Sequence, residues 1–329
     1  MKRADLSAYG IPHEVIACVD VPDVGPPGPG EVVFDVLAFP INPADIGFCT
    51  GNYRLRPPLP ATPGAECVGR VIAVGEGVSD VGPGDLVINL QRENWAQRRR
   101  VRGEDAVPLP AGMDLKQAAM VRINPPTALL LLSDFVTLAP GEWVIQNVAN
   151  SAVGRLVIML AKRQGLLTLN VVRRESLFGE LAALGADACI VDGDDLAARA
   201  KAVTGGATIR LGLDAVSGAA TGRIAACVAD EGHVVTYGSM SGEDPKVDRA
   251  NFVFRGVNLG GFMLGRHMAR RDAAAIRAIY AELGGDIAAG RLHTPVERIY
   301  PIEQIKDAVA HAQQGGRNGK ILVTPNGAI

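Results

Sequence analysis

Residues 143–165, WVIQNVANSAVGRLVIMLAKRQG, place an apolar strand, a short polar turn and an apolar-periodic helix in direct succession. This order is typical of a dinucleotide-binding turn, in which the first amides of the helix bind a phosphate. Of the glycine fingerprint G-x-G-x-x-G, only the last glycine stands in A-N-S-A-V-G, Ala149 to Gly154. Because Ala149 and Ser151 are the next smallest residues, the sequence still allows a phosphate site, although a plain structural turn would have the same pattern.

The chain changes character near residue 120. Before that point, short β-rich runs alternate with turns rich in glycine and proline, which favours a small, partly open β-barrel. After it, apolar strands such as LLTLNVV, ACIVD and HVVTYG alternate with helical segments, which favours a doubly wound parallel sheet. The last segment is mixed again. We therefore expect one domain from residues 1–123 and 266–329, and a second from residues 124–265.

Composition excludes several classes of function. The net charge of −2 gives no electrostatic case for nucleic-acid binding. The nearly uncharged runs are shorter than the roughly 20 apolar residues of a membrane span, and the N-terminus has no apolar core of signal-peptide length. The five cysteines are scattered without a C-x-x-C spacing, which fits reduced thiols. We expect a cytoplasmic protein with a small-molecule substrate, and neither nucleic acid nor membrane as a partner.

The strand TLNVV ends in Arg173 and Arg174, with no acid on its tip. In a dinucleotide-binding fold this strand end reaches the adenosine ribose, where an acid selects NAD and an arginine accommodates the 2′-phosphate of NADP. The planar guanidinium suits a phosphate dianion. A solvated arginine pair is the plainer alternative, but with the preceding turn in register the sequence favours NADPH.

Short motifs along almost the whole chain carry a family resemblance. They include INPADI, GNY, PGAECVGRVIAVG, INPPTA, QNVANSAVG, LNVVRR, LGADACI and VVTYGSM. On these motifs the chain resembles the zinc-free medium-chain dehydrogenases/reductases, most closely the trans-2-enoyl-thioester reductases and next the quinone oxidoreductases. The resemblance implies an α/β fold, with a Rossmann doubly wound parallel sheet plus a GroES-like β-barrel catalytic domain. It also implies an NADPH-dependent reduction of an activated C=C bond.

The departures from the zinc-dependent relatives predict that no metal is bound. Those relatives carry Cys where Asn42 stands and His where Ala65 stands, and Glu66 alone cannot hold a zinc ion that needs three protein ligands. Residues 76–188 contain no cysteine, so the four-cysteine lobe of a structural zinc is also absent.

The resemblance implies roles for individual residues. Tyr53, in GNY, matches the proton donor of the family, and a phenol with a pKa near ~10 stays protonated at neutral pH. A lid residue in a loop is the alternative for Tyr53. The expected cofactor contacts are Asn124 and Thr127 at the nicotinamide end, Asn150, Ser151, Ala152 and Val153 at the pyrophosphate, Arg173 and Arg174 at the 2′-phosphate, then Tyr237, Gly238, Ser239, Met240, Phe262, Met263, Leu264 and Lys320. Phe262 and Leu264 would otherwise be core, and Lys320 a surface charge.

Two features limit the substrate. Met263 stands where the enoyl-thioester reductases carry Trp, so the acyl pocket is expected to differ in shape. The arginines in QRRRVR, Arg98, Arg99, Arg100 and Arg102, could meet the phosphates of coenzyme A or acyl carrier protein, but a solvated strand face is the favoured interpretation.

Three functions are therefore open from the sequence. The first is an NADPH-dependent reductase of enoyl thioesters or enones, the second an NADPH:quinone oxidoreductase, and the third a non-enzymatic NADPH-binding protein. We expect a homodimer, because in this superfamily the strand containing GGFML extends the sheet between subunits, and here it is apolar and glycine-rich.

Overall fold

The computed structural model describes residues 1–329 and divides them into two units. The first, which we call the antiparallel unit, comprises residues 1–123 and 273–329, and the second, the parallel unit, comprises residues 124–272. The elements of residues 1–123 are β1 (Lys2–Leu6), α1 (Pro12–Val15), β2 (Ile16–Asp20), β3 (Glu31–Pro40), α2 (Pro43–Thr50), β4 (Val68–Val74), β5 (Leu86–Asn89), β6 (Arg98–Arg102), β7 (Ala106–Pro108) and α3 (Leu115–Ala118).

The parallel unit alternates helices and strands from one end to the other. Its elements are α4 (Asn124–Ser133), β8 (Trp143–Asn147), α5 (Ala152–Arg163), β9 (Leu167–Val172), α6 (Phe178–Leu184), β10 (Ala188–Val191), α7 (Leu196–Val203), β11 (Ile209–Asp214), α8 (Ala219–Cys227), β12 (His233–Thr236), β13 (Asn258–Gly261) and α9 (Leu264–Met268). The chain then returns to the antiparallel unit with α10 (Ala273–Ala288), β14 (Val296–Pro301), α11 (Ile305–Gln313) and β15 (Lys320–Thr324).

The sheet of the parallel unit has six strands in the order β10-β9-β8-β11-β12-β13, and every neighbouring pair is parallel. The predicted doubly wound sheet is thereby confirmed, with the order reversing beside β8 as in dinucleotide-binding folds. The inner strands β8, β9 and β11 are buried along almost their whole length, as expected where helices cover both faces of a parallel sheet. The expected strand over GVNLGGFML is shorter than its apolar run, since only Asn258–Gly261 pairs with β12.

The antiparallel unit is built on the long strand β3. This strand pairs antiparallel with β4, β6 and β15, and the sheet continues through β5 to β7 on one side and through β14 on the other. Its core contains Phe34, Phe39 and Trp95, all fully buried, and the rings of Phe39 and Trp95 stack at 5.6 Å between centroids. The β-rich first domain expected from the sequence therefore has a contiguous core of its own.

The boundary after the parallel unit lies at 272/273, later than the 265/266 predicted from the sequence. The reason is a clamp on Asp134, the residue after α4. Its carboxylate accepts a 2.6 Å hydrogen bond from Arg271 and lies 2.7 Å from Nδ1 of His267. Both partners follow β13, so residues 264–272 stay with the parallel unit. A long-range polar contact of this kind has no signature in local sequence.

Gly154 is the residue that fixes how α5 begins beside the end of β8. A Cβ added there would lie 2.7 Å from the Cα and carbonyl oxygen of Ala149 and from the carbonyl oxygen of Val148. These are backbone atoms, which cannot move aside without shifting the strand or the helix. The third glycine of the fingerprint is thus required by packing, whereas the first two positions accept Ala149 and Ser151.

We predict that Gly154→Ala lowers the free energy of unfolding by about 1–3 kcal/mol, the usual cost of overpacking a tight contact. Gly179→Ala in α6 is the matched control, because a Cβ there meets nothing within 4 Å. Alanine is the better helix former by ~1 kcal/mol, so the control should be as stable as the native chain or more so. Urea unfolding of the three proteins measures both effects, and equal stability of the two variants would contradict the packing argument.

Candidate active site

Most of the residues predicted for cofactor binding lie at one edge of the parallel sheet. Four runs follow the C-terminal ends of four of its strands, namely Asn150–Val153 after β8, Arg173 and Arg174 after β9, Tyr237–Met240 after β12, and Phe262–Leu264 after β13. Because the strands are parallel, these ends lie at the same edge, the one at which open α/β sheets bind ligands. Asn124 and Thr127 belong to the same unit, in the first turn of α4, and both are buried.

The turn after β8 leaves backbone donors free at the start of α5. Ser151 caps the helix, since its Oγ accepts a 3.1 Å hydrogen bond from the Gly154 amide. The Asn150 carbonyl accepts a 3.0 Å bond from Arg155 Nε, which fixes the turn from behind. The amides of Ala152 and Val153, at the first helical positions, have no acceptor within the helix. Two free amides at the positive end of a helix dipole suit a phosphate.

Arg173 and Arg174 are exposed, and neither forms an ion pair or a hydrogen bond through its side chain. Other arginines of the parallel unit are paired with acids, for example Arg210 with Glu142 and Arg223 with Asp192. Two exposed and uncompensated cations therefore lie directly after β9, and a guanidinium suits an anionic group such as a phosphate.

Three polar groups of the parallel unit are buried without a protein partner. One is the side-chain oxygen of Gln146, and the two that carry donor hydrogens are the side-chain NH₂ of Asn124 and the hydroxyl of Tyr237. Burial raises the pKa of Tyr237, so its hydroxyl keeps its proton, and nearby Ser151 opposes this shift without satisfying the group. A buried donor without an acceptor is costly. The two groups thus fit a site that a polar ligand completes.

Gly238 provides a second place of close approach at this edge. A Cβ there would lie 2.8 Å from the carbonyl oxygen of Ala215, so only glycine allows the chain after β12 to cross the end of β11. The Tyr237 amide donates to the Asp214 carbonyl at 2.9 Å, and the Met240 amide donates to the Ala215 carbonyl at 3.1 Å. Ser239 and Met240 are exposed, so these two side chains face solvent, whereas the Tyr237 hydroxyl is buried.

The sequence did not single out Asp214, which organises this edge. Its buried carboxylate accepts hydrogen bonds from Asn147 of β8 at 2.6 Å, Thr221 of α8 at 2.6 Å and Thr236 of β12 at 3.2 Å. It also accepts from the amides of Val216 and Ser217. An acid that ends an apolar strand, as in RLGLDAV, was the available signal. Arg155 was missed for a different reason, since it sits in a helix that otherwise reads as apolar.

Phe262 behaves as a core residue. It is 9% exposed, and its ring lies 4.5 Å from the His267 ring and 6.4 Å from the Phe135 ring, between centroids. The packing of Phe262 therefore favours a role in the core over a direct cofactor contact. Met263 and Leu264 are half-buried at the start of α9, and remain open to a ligand.

In the antiparallel unit, Tyr53 lies in the loop after α2. The helix ends at Gly51, whose left-handed φ of 73° turns the chain into this loop. The Tyr53 ring is half-buried against the core and packs near Gly47 of α2. The guanidinium of Arg92 lies over the ring face, with Cζ 5.2 Å from the ring centroid. The neighbouring Asn52 is exposed.

A buried polar cluster occupies the region of the zinc-ligand positions. Asn42 donates to Glu66 Oε1 at 2.8 Å and accepts a hydrogen bond from the ammonium of Lys320. The amide of Ile123 donates to Glu66 Oε2 at 3.0 Å. Burial raises the pKa of Glu66 to about 7, and the positive charge of Lys320 opposes the shift. Burial also lowers the pKa of Lys320. No group of three or more His, Cys, Asp or Glu side chains is arranged to hold a metal ion.

Lys320 requires a correction, because the sequence otherwise assigned it to the surface. Its side chain is 8% exposed, and its ammonium contacts Asn42 and, at 3.4 Å, the carbonyl of Ile41. The antiparallel pairing of β15 with the end of β3 turns it inward. A single lysine in a short strand gives no sequence signal for such burial.

The arginines of β6 are occupied by acids. Arg98 pairs with Asp35 and Asp23 at 2.7 Å, Arg100 with Glu31 at 3.4 Å, and Arg102 with Glu104 and Asp105. Arg99 lies 3.3 Å from Glu93. With every guanidinium paired, the strand-face interpretation is the one supported, and no free cation of this run is left for a phosphate.

Family models match both the N-terminal and the C-terminal parts of the chain, and a curated relative matches nearly its full length. Residues 28–113 match the model of the alcohol dehydrogenase GroES-like domain, and residues 184–323 match that of the zinc-binding dehydrogenases. The mitochondrial enoyl-[acyl-carrier-protein] reductase of Xenopus tropicalis is 35% identical over 315 residues, covering 93% of this chain and 90% of that protein.

Solved structures give the same picture. The Etr1p/NADP/crotonyl-CoA complex is 25% identical with a TM-score of 0.87, covering 98% of this chain and 99% of that one. The quinone oxidoreductase of Pseudomonas syringae pv. tomato is 26% identical with a TM-score of 0.88, again covering 98% and 99%. No helix of the chain has the length and apolarity needed to cross a membrane.

The raised pKa of Glu66 predicts a pH-dependent stability. Between its ordinary value of 4.5 and about 7, the folded state holds the proton more tightly than the unfolded state does. Stability should therefore fall as pH rises through this window, by at most about 1.4 kcal/mol per pH unit. Glu66→Gln cannot ionise, so its thermal stability should fall less between pH 5 and pH 7.5. Parallel pH profiles of the two proteins would contradict the buried-proton assignment.

Proposed function

Because the chain belongs to the medium-chain dehydrogenase/reductase superfamily, in its zinc-free branch, we propose that it is an NADPH-dependent reductase of activated carbon–carbon double bonds. The substrates are 2-enoyl thioesters or small enones. The observation that carries this proposal is the nearly full-length likeness to enoyl-[acyl-carrier-protein] reductases, at 35% identity.

The edge of the parallel sheet fits NADPH. The free amides of Ala152 and Val153 bind the pyrophosphate, with Asn150 and Ser151 shaping the turn. Arg173 and Arg174 bind the 2′-phosphate, and the unpartnered donors of Asn124 and Tyr237 bind polar groups of the cofactor. Thr127, Gly238, Ser239, Met240, Met263 and Leu264 complete the set, whereas Phe262 supports it from the core. When bound, NADPH supplies a hydride to the β-carbon of the substrate.

In this proposal Lys320 has an indirect, structural role. Its ammonium is engaged by Asn42 and by the Ile41 carbonyl, so it holds the buried cluster with Glu66 together. The direct cofactor contact that the resemblance implies for this lysine stays a prediction.

Tyr53 supplies the proton in the proposed reaction. Addition of hydride to the β-carbon leaves an enolate, which needs one proton at its α-carbon. The half-buried phenol donates that proton and then recovers one from solvent. Asn42 and Ala65 offer neither a thiolate nor an imidazole to a metal. The proposed reaction therefore uses no metal as a Lewis acid, in contrast to the alkoxide chemistry of the zinc-dependent relatives.

The second candidate is an NADPH:quinone oxidoreductase. The likeness to the Pseudomonas syringae enzyme, at 26% identity and a TM-score of 0.88, favours it. A quinone takes its protons from water, so this reaction does not depend on Tyr53. The two candidates therefore differ in what they require of one side chain.

We also propose a homodimer in which β13 pairs with the same strand of a second copy. β13 is the edge of the six-stranded sheet and is largely exposed. Beside it in sequence, Phe252, Val253 and Phe254 are 56%, 59% and 72% exposed, which is unusual for large apolar side chains. The relatives are named mitochondrial, so the cytoplasmic location expected from the sequence stays a prediction.

Replacing Arg173 and Arg174 together by alanine tests the cofactor assignment. Each charge-assisted contact is worth roughly 1.5–3 kcal/mol, so NADPH affinity should fall at least about tenfold. NADH lacks the 2′-phosphate, and its affinity should barely change. Fluorescence titration with both cofactors measures the two constants. Equal losses for NADPH and NADH would rule out a 2′-phosphate site.

Tyr53→Phe separates the two candidate reactions, because it removes the donor and keeps the ring. Loss of a positioned general acid should lower kcat for an enoyl thioester by about 10²–10⁴-fold. NADPH affinity should be unchanged, and reduction of a small quinone should fall much less. Asn52→Ala in the same loop is the control. Near-native enoyl turnover in Tyr53→Phe would contradict the proton-donor role and favour the quinone oxidoreductase reaction.

A further inference from the structure

Arg92, between β5 and β6, holds the ring of Tyr53 from one face. Its guanidinium carbon lies 5.2 Å from the centroid of the Tyr53 ring and 5.6 Å from that of Phe48. Both distances are within the ~6 Å at which a cation is attracted to the face of an aromatic ring. No residue of the sequence motifs pointed to this arginine.

Arg92 also forms an ion pair with a buried acid, without a hydrogen bond between them. One nitrogen of its guanidinium lies 3.7 Å from Oδ1 of Asp45, an acid that is fully buried. Asp45 is fixed in turn by the amides of Asn42 and Ala65, at 3.0 Å and 2.9 Å. Because the Arg92 side chain is only 25% exposed, its attraction to the rings is weakly screened by water.

Other hydrogen bonds hold this loop at Gly51 and Pro57, on either side of Tyr53, and none involves Tyr53 itself. Arg56 Nε donates to the Gly51 carbonyl at 2.6 Å, and the Tyr9 hydroxyl donates to the Pro57 carbonyl at 2.8 Å. The ring meets the core near Gly47, where the absence of a side chain leaves space. The plane of the ring, and with it the direction of the phenol O–H, depends on what lies over its face.

We propose that Arg92 is a positioning residue for Tyr53. Its guanidinium, ion-paired with buried Asp45, sets the plane of the phenol ring and orders the loop that carries it. The catalytic consequence rests on the proposed role of Tyr53 as proton donor, whereas the ordering of the loop does not. The two can therefore be tested apart.

The first test needs no substrate. Hydrogen–deuterium exchange is followed over residues 51–57 in the native protein, Arg92→Met, Arg92→Lys and Arg70→Met. Arg70 is an exposed arginine of the same unit that bonds the Gly84 carbonyl and contacts no ring. Exchange should quicken about two- to fivefold in Arg92→Met, as expected for the loss of one weakly screened cation–ring contact. Lysine should restore part of the protection, and Arg70→Met should match the native protein. Unchanged exchange in Arg92→Met would overturn the positioning role.

The second test is a double-mutant cycle on kcat for crotonyl-CoA reduction. Arg92→Met should lower kcat by about tenfold in the native background, with KM little changed, because a misdirected donor slows the proton step. In the Tyr53→Phe background, the same substitution should lower kcat no further, since its effect passes through the phenol. A full additional tenfold loss in that background would overturn the inference. If Tyr53→Phe alone costs nothing, the proposed function fails, and the exchange experiment still decides whether Arg92 orders the loop.

Discussion

The carboxylate of Asp214 is the interaction on which the candidate cofactor edge depends. It joins β8, β11, β12 and α8 by hydrogen bonds to side chains and backbone amides, all in a buried setting. A buried charge is tolerated only when its lone pairs are satisfied, and here five donors do so. The loops that follow these strands are thereby held in one arrangement. Gly154 and Gly238 then allow the backbone to approach closely where the carboxylate network has placed it.

Much of this fold could be predicted because its signals are local. The alternation of apolar strands with helical segments predicted the parallel sheet. The turn over residues 149–154 could be recognised although two glycines of the fingerprint are missing, because only its last position, Gly154, has no room for a side chain. In contrast, the end of the parallel unit was misplaced because the Asp134 clamp joins residues far apart in sequence. The burial of Lys320 and the contacts of Arg92 could not be predicted for the same reason, since both are set by strands that pair at long range.

Two physical settings divide the proposed chemistry. The sheet edge of the parallel unit offers helix amides, free guanidinium groups and unpartnered donors, which suit an anionic dinucleotide. The antiparallel unit offers a phenol backed by a cation, and a buried Asn42–Glu66–Lys320 cluster where zinc-dependent relatives place their metal ligands. In the cluster, the side-chain amide of Asn42 links the ammonium of Lys320 to the carboxyl group of Glu66. The positive charge in that region is therefore the ammonium of Lys320. An acceptor that needs a hydride and a proton, but no Lewis acid, matches this combination.

The most direct measurement follows the hydride and the proton separately. Crotonyl-CoA is reduced with NADPH deuterated at C4, in each of its two stereochemical forms, and the product is analysed by mass spectrometry and NMR. We expect butyryl-CoA with deuterium at the β-carbon from one form only, and with an α-hydrogen drawn from solvent. Reduction of quinones without any labelled butyryl-CoA would contradict it.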